Sequence, residues 1–143
     1  MGVSFPPVKV ALDEGAYMPE RAHKTDAGAD LRAPVDVLVP ARGSTFVDTG
    51  VHVQLPHMTK GEIRPKSGLF RYAGILTDGL IDEGYDGAIG VTLYNLSDAP
   101  HLFRQGDKLC QLVVSPVCYP TYEQAEEIEG GERGDGGFGS TGA

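Results

Sequence analysis

Short apolar runs, each broken within a few residues by Gly, Pro or a charged side chain, recur along the chain. They fall at residues 8–12, 29–33, 35–39, 45–55, 61–65, 87–95 and 108–117. Runs of this length bounded by turn residues predict β-strands, and no amphipathic stretch reaches the length of a typical helix. The second half of 45–55 alternates cleanly, with Val51, Val53 and Leu55 on one face and His52 and Gln54 on the other, which makes His52 a solvated strand residue. The polar stretch 13–26 reads as a long loop. Strands at this spacing predict an all-β fold, a sandwich or a jelly-roll (distorted) β-barrel.

The pattern changes at residue 123. From there to residue 143 the chain is first acidic and then rich in Gly, and it offers too little apolar surface to fold alone. The expected organisation is therefore a β-barrel domain over 1–122 and a flexible arm over 123–143. A length of 143 residues suits one domain with its own core. The net charge of -8 disfavours a polymeric nucleic acid as partner, because such binding needs a basic surface that releases counterions. A small polyanion is still possible if a few cations and amides meet it locally. No 18 apolar residues run together and the first ten residues lack a signal peptide's apolar stretch, so the expectation is a cytoplasmic protein with no membrane partner. Cys110 and Cys118 lie in or beside an apolar run and read as buried free thiols.

Five segments could carry chemistry. Arg133-Gly-Asp-Gly-Gly-Phe138-Gly139-Ser140-Thr141-Gly142 combines amides that can approach a phosphate, a guanidinium, two hydroxyls and one ring on which a base could stack; a plain Gly-rich tail would look the same. Pro65-Lys66-Ser67-Gly68 joins a cation, a hydroxyl and a Gly at one turn. Asp82 follows the apolar pair Leu80-Ile81 and precedes a turn, where partial burial would suit a general base and turn initiation is the equally good alternative. Asp30, in Ala27-Gly-Ala-Asp30-Leu, and Asp107, in Gly106-Asp-Lys108, each lie near Gly at a strand entry, where a hard cation or turn chemistry would place an acid; for Asp107 the turn is favoured. Gly134, Gly136 and Gly139 match G-x-G-x-x-G but no helix follows, so a dinucleotide fold is excluded, and no P-loop or zinc-deaminase pattern is present.

In this order, from Ala27 to Gly142, the five segments resemble the five motifs of the trimeric dUTP pyrophosphatase family. The resemblance implies a jelly-roll homotrimer with sites shared among subunits, a Mg2+ cofactor, and hydrolysis of dUTP to dUMP and pyrophosphate by attack of water on the α-phosphorus. It implies Asp82 as the catalytic base, Tyr85 against the deoxyribose, and Lys66, Ser67, Gly68 and Gln111 on the phosphates. The hairpin 75–90, with Leu80 and Ile81, would form the uracil pocket wall. Asp30 would meet the metal through water, and Arg133, Phe138, Gly139, Ser140 and Thr141 would close as a lid. Lys66 stands where the family usually has Arg, Leu76 where many members have Asn, and Gly84 and Asp86 replace more usual acidic and Arg residues around Tyr85. A dCTP deaminase on the same fold would need a catalytic Glu that the sequence does not mark. A non-catalytic trimeric binding module should have lost Asp82 or the arm.

Overall fold

The computed structural model describes residues 4–139 as eleven strands and one short helix. In chain order these are β1 (Lys9–Leu12), β2 (Ala29–Arg32), β3 (Val37–Val39), β4 (Ser44–Asp48), β5 (Val51–Gln54), β6 (Thr59–Arg64), α1 (Ser67–Ala73), β7 (Ile75–Leu76), β8 (Gly79–Ile81), β9 (Gly90–Asn95), β10 (His101–Phe103) and β11 (Lys108–Pro116). The fold is all-β, as the run spacing predicts. A four-stranded sheet runs β2-β11-β6-β8, a three-stranded sheet runs β4-β9-β7, and β1 with β5 and β3 with β10 form two ribbons. Every strand pairing is antiparallel.

Alternation along the strands sends one face of each sheet into a single core that includes Leu31, Val39, Val51, Val53, Ile63, Val91, Leu93, Phe103, Leu109 and Leu112. Each fully buried aliphatic side chain of this kind contributes about 1.5–3 kcal/mol relative to exposure. The buried polar side chains are satisfied. Asn95 donates to Val39 O and Ala99 O and accepts from Ser97, and the Thr49 hydroxyl donates to Ile89 O at 2.7 Å.

The structure differs from the run pattern in specific places. The run 45–55 is two strands, β4 and β5, because Thr49 and Gly50 (φ 68°) turn the chain from the three-stranded sheet into the ribbon with β1. The segments β7, β8 and β10 and the seven-residue α1 are too short to give a period. Cys110 is buried as expected, and burial pushes its thiol up to about 12. Cys118 is exposed, because β11 ends at Pro116 and leaves the core. Past that end, Val117 N–H bonds Met58 O and the Tyr119 hydroxyl donates to Glu83, after which the chain runs exposed to Asp135. Among the described residues no helix is long and apolar enough to cross a membrane.

Candidate active site

Two groups of the implied site residues lie at opposite edges of the four-stranded sheet. At the β2 edge, the Asp30 side chain is 4% exposed, with Lys66 Nζ at 2.5 Å from Oδ1 and Lys108 Nζ at 3.2 Å from Oδ2. Burial pushes this carboxyl up, but the bonds from Lys66 and Lys108 together with their charges outweigh it and hold the carboxyl below its usual value. Lys108 reaches Asp30 because the β2–β11 register shifts between Lys108 and Cys110, a local irregularity that re-aims side chains. Gln111, directly opposite Asp30 in the ladder, donates from Nε2 to Pro65 O at 3.0 Å. It thereby fixes the turn that carries Lys66. Gly28 is required here, since a Cβ would collide with the Gln111 side chain.

Lys66, Gly68, Arg32 and Lys108 line a groove of ≈ 510 Å³ beside this cluster. Three cations against the buried Asp30 and the exposed Asp107, which also lines the groove, leave a small net positive charge in an acidic protein, which suits a polyanion. Ser67 opens α1, so the segment read as a turn is in fact the entry to a helix. Asp107 accepts from Arg104 N–H at 2.8 Å, the turn role the sequence favoured. Lys108 was not singled out by the sequence reading, although it sits in the fourth motif; what hid it was the register shift.

At the other edge, β8 ends at Ile81 and Asp82 follows, exposed and opening a turn in which its carbonyl accepts from Tyr85 N–H at 3.1 Å, the second of the two alternatives the sequence left open. The reason for the exposure is topological: β8 is the last strand of its sheet, and among the described residues no further strand pairs with its outer edge. Leu80 is exposed as well, whereas the Ile81 side chain lies in the core, so Ile81 can meet a ligand only through its backbone. Glu83, next to Asp82, accepts from Met58 N–H (2.7 Å), from the Tyr119 hydroxyl (2.9 Å) and from His57 Nδ1 (3.0 Å). The bond with His57, then those from Met58 and Tyr119, pull its carboxyl down to about 2. Tyr85 folds its ring across Gly87, where a Cβ would collide with it, and donates to Ala88 O at 2.8 Å.

The registers fix how far apart the groups lie. Gln111 is opposite both Asp30 and Arg64, while Ile81 is opposite Gly61, which sets Asp82 level with Lys60. Three strand spacings across and four residues along separate Asp30 from Asp82 by roughly 20 Å. The chain therefore brings Asp30, Lys66, Lys108 and Gln111 together, and Asp82 with Tyr85, but does not bring the two groups to each other. On the arm, Phe138 and Gly139 are exposed and Arg133 donates to Gly137 O at 3.1 Å. Ser140 and Thr141 lie outside the described residues.

Fold and site together define an all-β protein with a basic cluster around a buried carboxylate at one sheet edge and a carboxylate beside a tyrosine at the other. The family model for dUTPase matches residues 14–142. The deoxyuridine 5'-triphosphate nucleotidohydrolase of Clostridium kluyveri is 40% identical over 134 residues, covering 92% of this chain and 94% of the relative. That of Solanum lycopersicum is 39% identical over 132 residues, covering 92% and 78%. The solved dUTPase of Staphylococcus bacteriophage 80alpha with dUPNHPP superposes with a TM-score of 0.89 at 28% identity, covering 97% of this chain and 100% of that one. The chain belongs to the dUTPase family.

Proposed function

We propose that this protein is a nucleotidohydrolase that converts dUTP to dUMP and pyrophosphate, at sites assembled between copies of the chain in a homotrimer. The observation that carries the shared site is the roughly 20 Å between the basic cluster and Asp82. In-line attack needs the water that Asp82 orients within about 3–3.5 Å of the α-phosphorus, and the phosphates of that same nucleotide must lie on cations. One chain's cluster and its own Asp82 are too far apart to serve one triphosphate. Exposed Phe46, Tyr94, Leu38 and Leu102 supply apolar surface for subunits to cover.

In this reading Lys66, Lys108, Arg32 and Gln111 bind and orient the triphosphate, with Ser67 and Gly68 at its edge. Asp82 takes a proton from water as the nucleophile attacks, and Tyr85 packs on the deoxyribose face so that a 2'-hydroxyl is excluded. Leu80 and the Ile81 backbone wall the base. The arm over 123–143 reaches a neighbouring subunit and lays Phe138 on uracil, Arg133 on the outer phosphate, and Gly139, Ser140 and Thr141 against the rest, excluding water.

Among the described residues no three His, Cys, Asp or Glu side chains form a metal cage. The lone carboxylate of Asp30 fits a different arrangement, because its two oxygens offer about four acceptor positions and the lysines occupy two. That leaves room for a water of a Mg2+ ion carried in by the triphosphate, the usual habit of an ion that keeps its waters and takes few protein ligands. Bound so, the ion would neutralise charge on the departing pyrophosphate. A mutant dUTPase from S. aureus phage phi11, 31% identical to this chain, is described with a structural Mg(II) ion. A free nucleotide substrate and no polymeric nucleic-acid partner are in keeping with the net charge and with cytoplasmic work.

Pyrophosphate release from dUTP, dTTP, dCTP and UTP, each with and without magnesium, tests the reading. Release from dUTP alone, dependent on the metal, is expected; ammonia release from dCTP or no turnover of dUTP would overturn it.

A further inference from the structure

We propose that His52 is a positioning residue, a doubly protonated imidazolium that braces the Tyr85–Asp86 turn against the end of β1 and so sets how firmly the nucleotide's sugar is met. The proposal rests on the dUTP reading above. In β5, His52 points away from the core; its Nδ1 lies 2.8 Å from Asp86 O and its Nε2 lies 3.0 Å from Asp13 Oδ1. A carbonyl and a carboxylate only accept hydrogen bonds, so both ring nitrogens must donate, and a neutral imidazole has only one N–H. The two contacts are satisfied together only by the cation.

The turn is held at its ends by Glu83, which accepts from Met58 N–H, and by Ile89, whose N–H bonds Val51 O. Between those anchors His52 grips Asp86, the residue after Tyr85. The groups facing the ring are the Asp13 carboxylate beyond β1, Asp48 at the end of β4, and Asp86 itself on the turn. From β1 comes one cation, Lys9, on the same face two residues from Ala11, the cross-strand partner of His52. The bond to Asp86 O, then that to Asp13, raise the imidazole above its ordinary 6.5; the charges of Asp13 and Asp48 add to this, and partial burial works against it.

Because the folded-state value is raised, the brace is complete below pH 6.5 and is lost as pH rises through that higher value. On deprotonation the remaining proton stays toward the carboxylate, where its bond is charge-assisted. The bare Nδ1 lone pair then faces Asp86 O, so the grip on the turn fails first. Turn geometry governs sugar contact rather than proton transfer, so the effect belongs in KM and not in kcat.

The test uses the full-length protein. In 15N NMR at about pH 6 both ring nitrogens of His52 should be protonated, with a single titration above the ordinary midpoint that moves to lower pH in Asp13→Asn. In parallel, KM and kcat for dUTP are measured from about pH 6 to about pH 9 for the wild type and for His52→Asn, whose Nδ2 donates from the Nδ1 position without titrating. Dividing one KM by the other cancels the titration of the substrate and of groups common to both proteins. The expected ratio rises about fivefold across the His52 titration, the loss of roughly one hydrogen bond, while the kcat ratio stays flat. His52→Gln, which keeps a donor only toward Asp13, should show the raised KM at every pH. A flat KM ratio, or one unprotonated ring nitrogen at the acid end, overturns the proposal. Should dUTP fail as substrate for every variant alike, the dUTP reading falls, and the NMR titration with its Asp13→Asn shift still decides the brace.

Discussion

Asp82 stands at the open edge of its sheet with its neighbour Glu83 tied to three donors, so the backbone that carries it is fixed while its own carboxylate faces outward. That arrangement suits a base that must reach a substrate lying on another subunit. Asp82→Asn should lower kcat at least about a hundredfold with little change in dUTP binding, because a general base acts in the transition state more than in the ground state. Single-turnover kinetics and equilibrium binding check the two halves separately. Glu83 makes a pH prediction. Its carboxyl is held down at about 2, below its ordinary 4.5, so the anchoring it supplies is fully present above 4.5 and is lost as pH falls through about 2. Glu83→Gln should make thermal unfolding less dependent on pH between those values; an unchanged acid limb would refute the anchoring role.

At the scale of elements, the β2-β11-β6 ladder holds the basic cluster, and the proposed function gives the arm the part of a lid. Gly28→Ala should displace Gln111 from Pro65 and loosen the turn that carries Lys66. The expected result is a several-fold higher KM for dUTP, about what one lost hydrogen bond produces, with the fold intact by circular dichroism. Deleting the chain after Gly131 should leave the fold untouched, since the described residues 132–139 lie outside the core, and should nearly abolish turnover. Phe138→Ala should fall between, losing roughly the 1–3 kcal/mol of one base stacking on a ring.

Sequence legibility follows the length of the apolar run rather than that of the strand, since the three-residue β3 was legible within the run 35–39. β11, nine residues of mostly apolar run, and β9 were plain, because pattern accumulates over such lengths. β7, β8, β10 and α1 were not, and the break at Thr49 and Gly50 was read through as part of the run 45–55, although Asp48-Thr49-Gly50 carries a turn signal. In the site, Asp30 and Gln111 pair across β2 and β11, and the turn after β6, the strand on the other side of β11, carries Lys66. The pairing of Lys108 with Asp30 depends on a register shift, and the contacts of His52 depend on the turn after Asp82; neither is a property of local sequence.

For the whole molecule, the central claim is that dUTP is hydrolysed at sites to which separate chains contribute Asp82 and the closing arm. Asp82→Asn protein and the chain truncated after Gly131 should each be nearly inactive alone. Co-expressed with different tags, and purified so that every assembly contains both, they can pair an intact Asp82 from one chain with an intact arm from the other. The measurement is pyrophosphate release from dUTP by these mixed assemblies. The account predicts that they recover a substantial fraction of wild-type activity per intact site; mixed assemblies as inactive as either parent would contradict it.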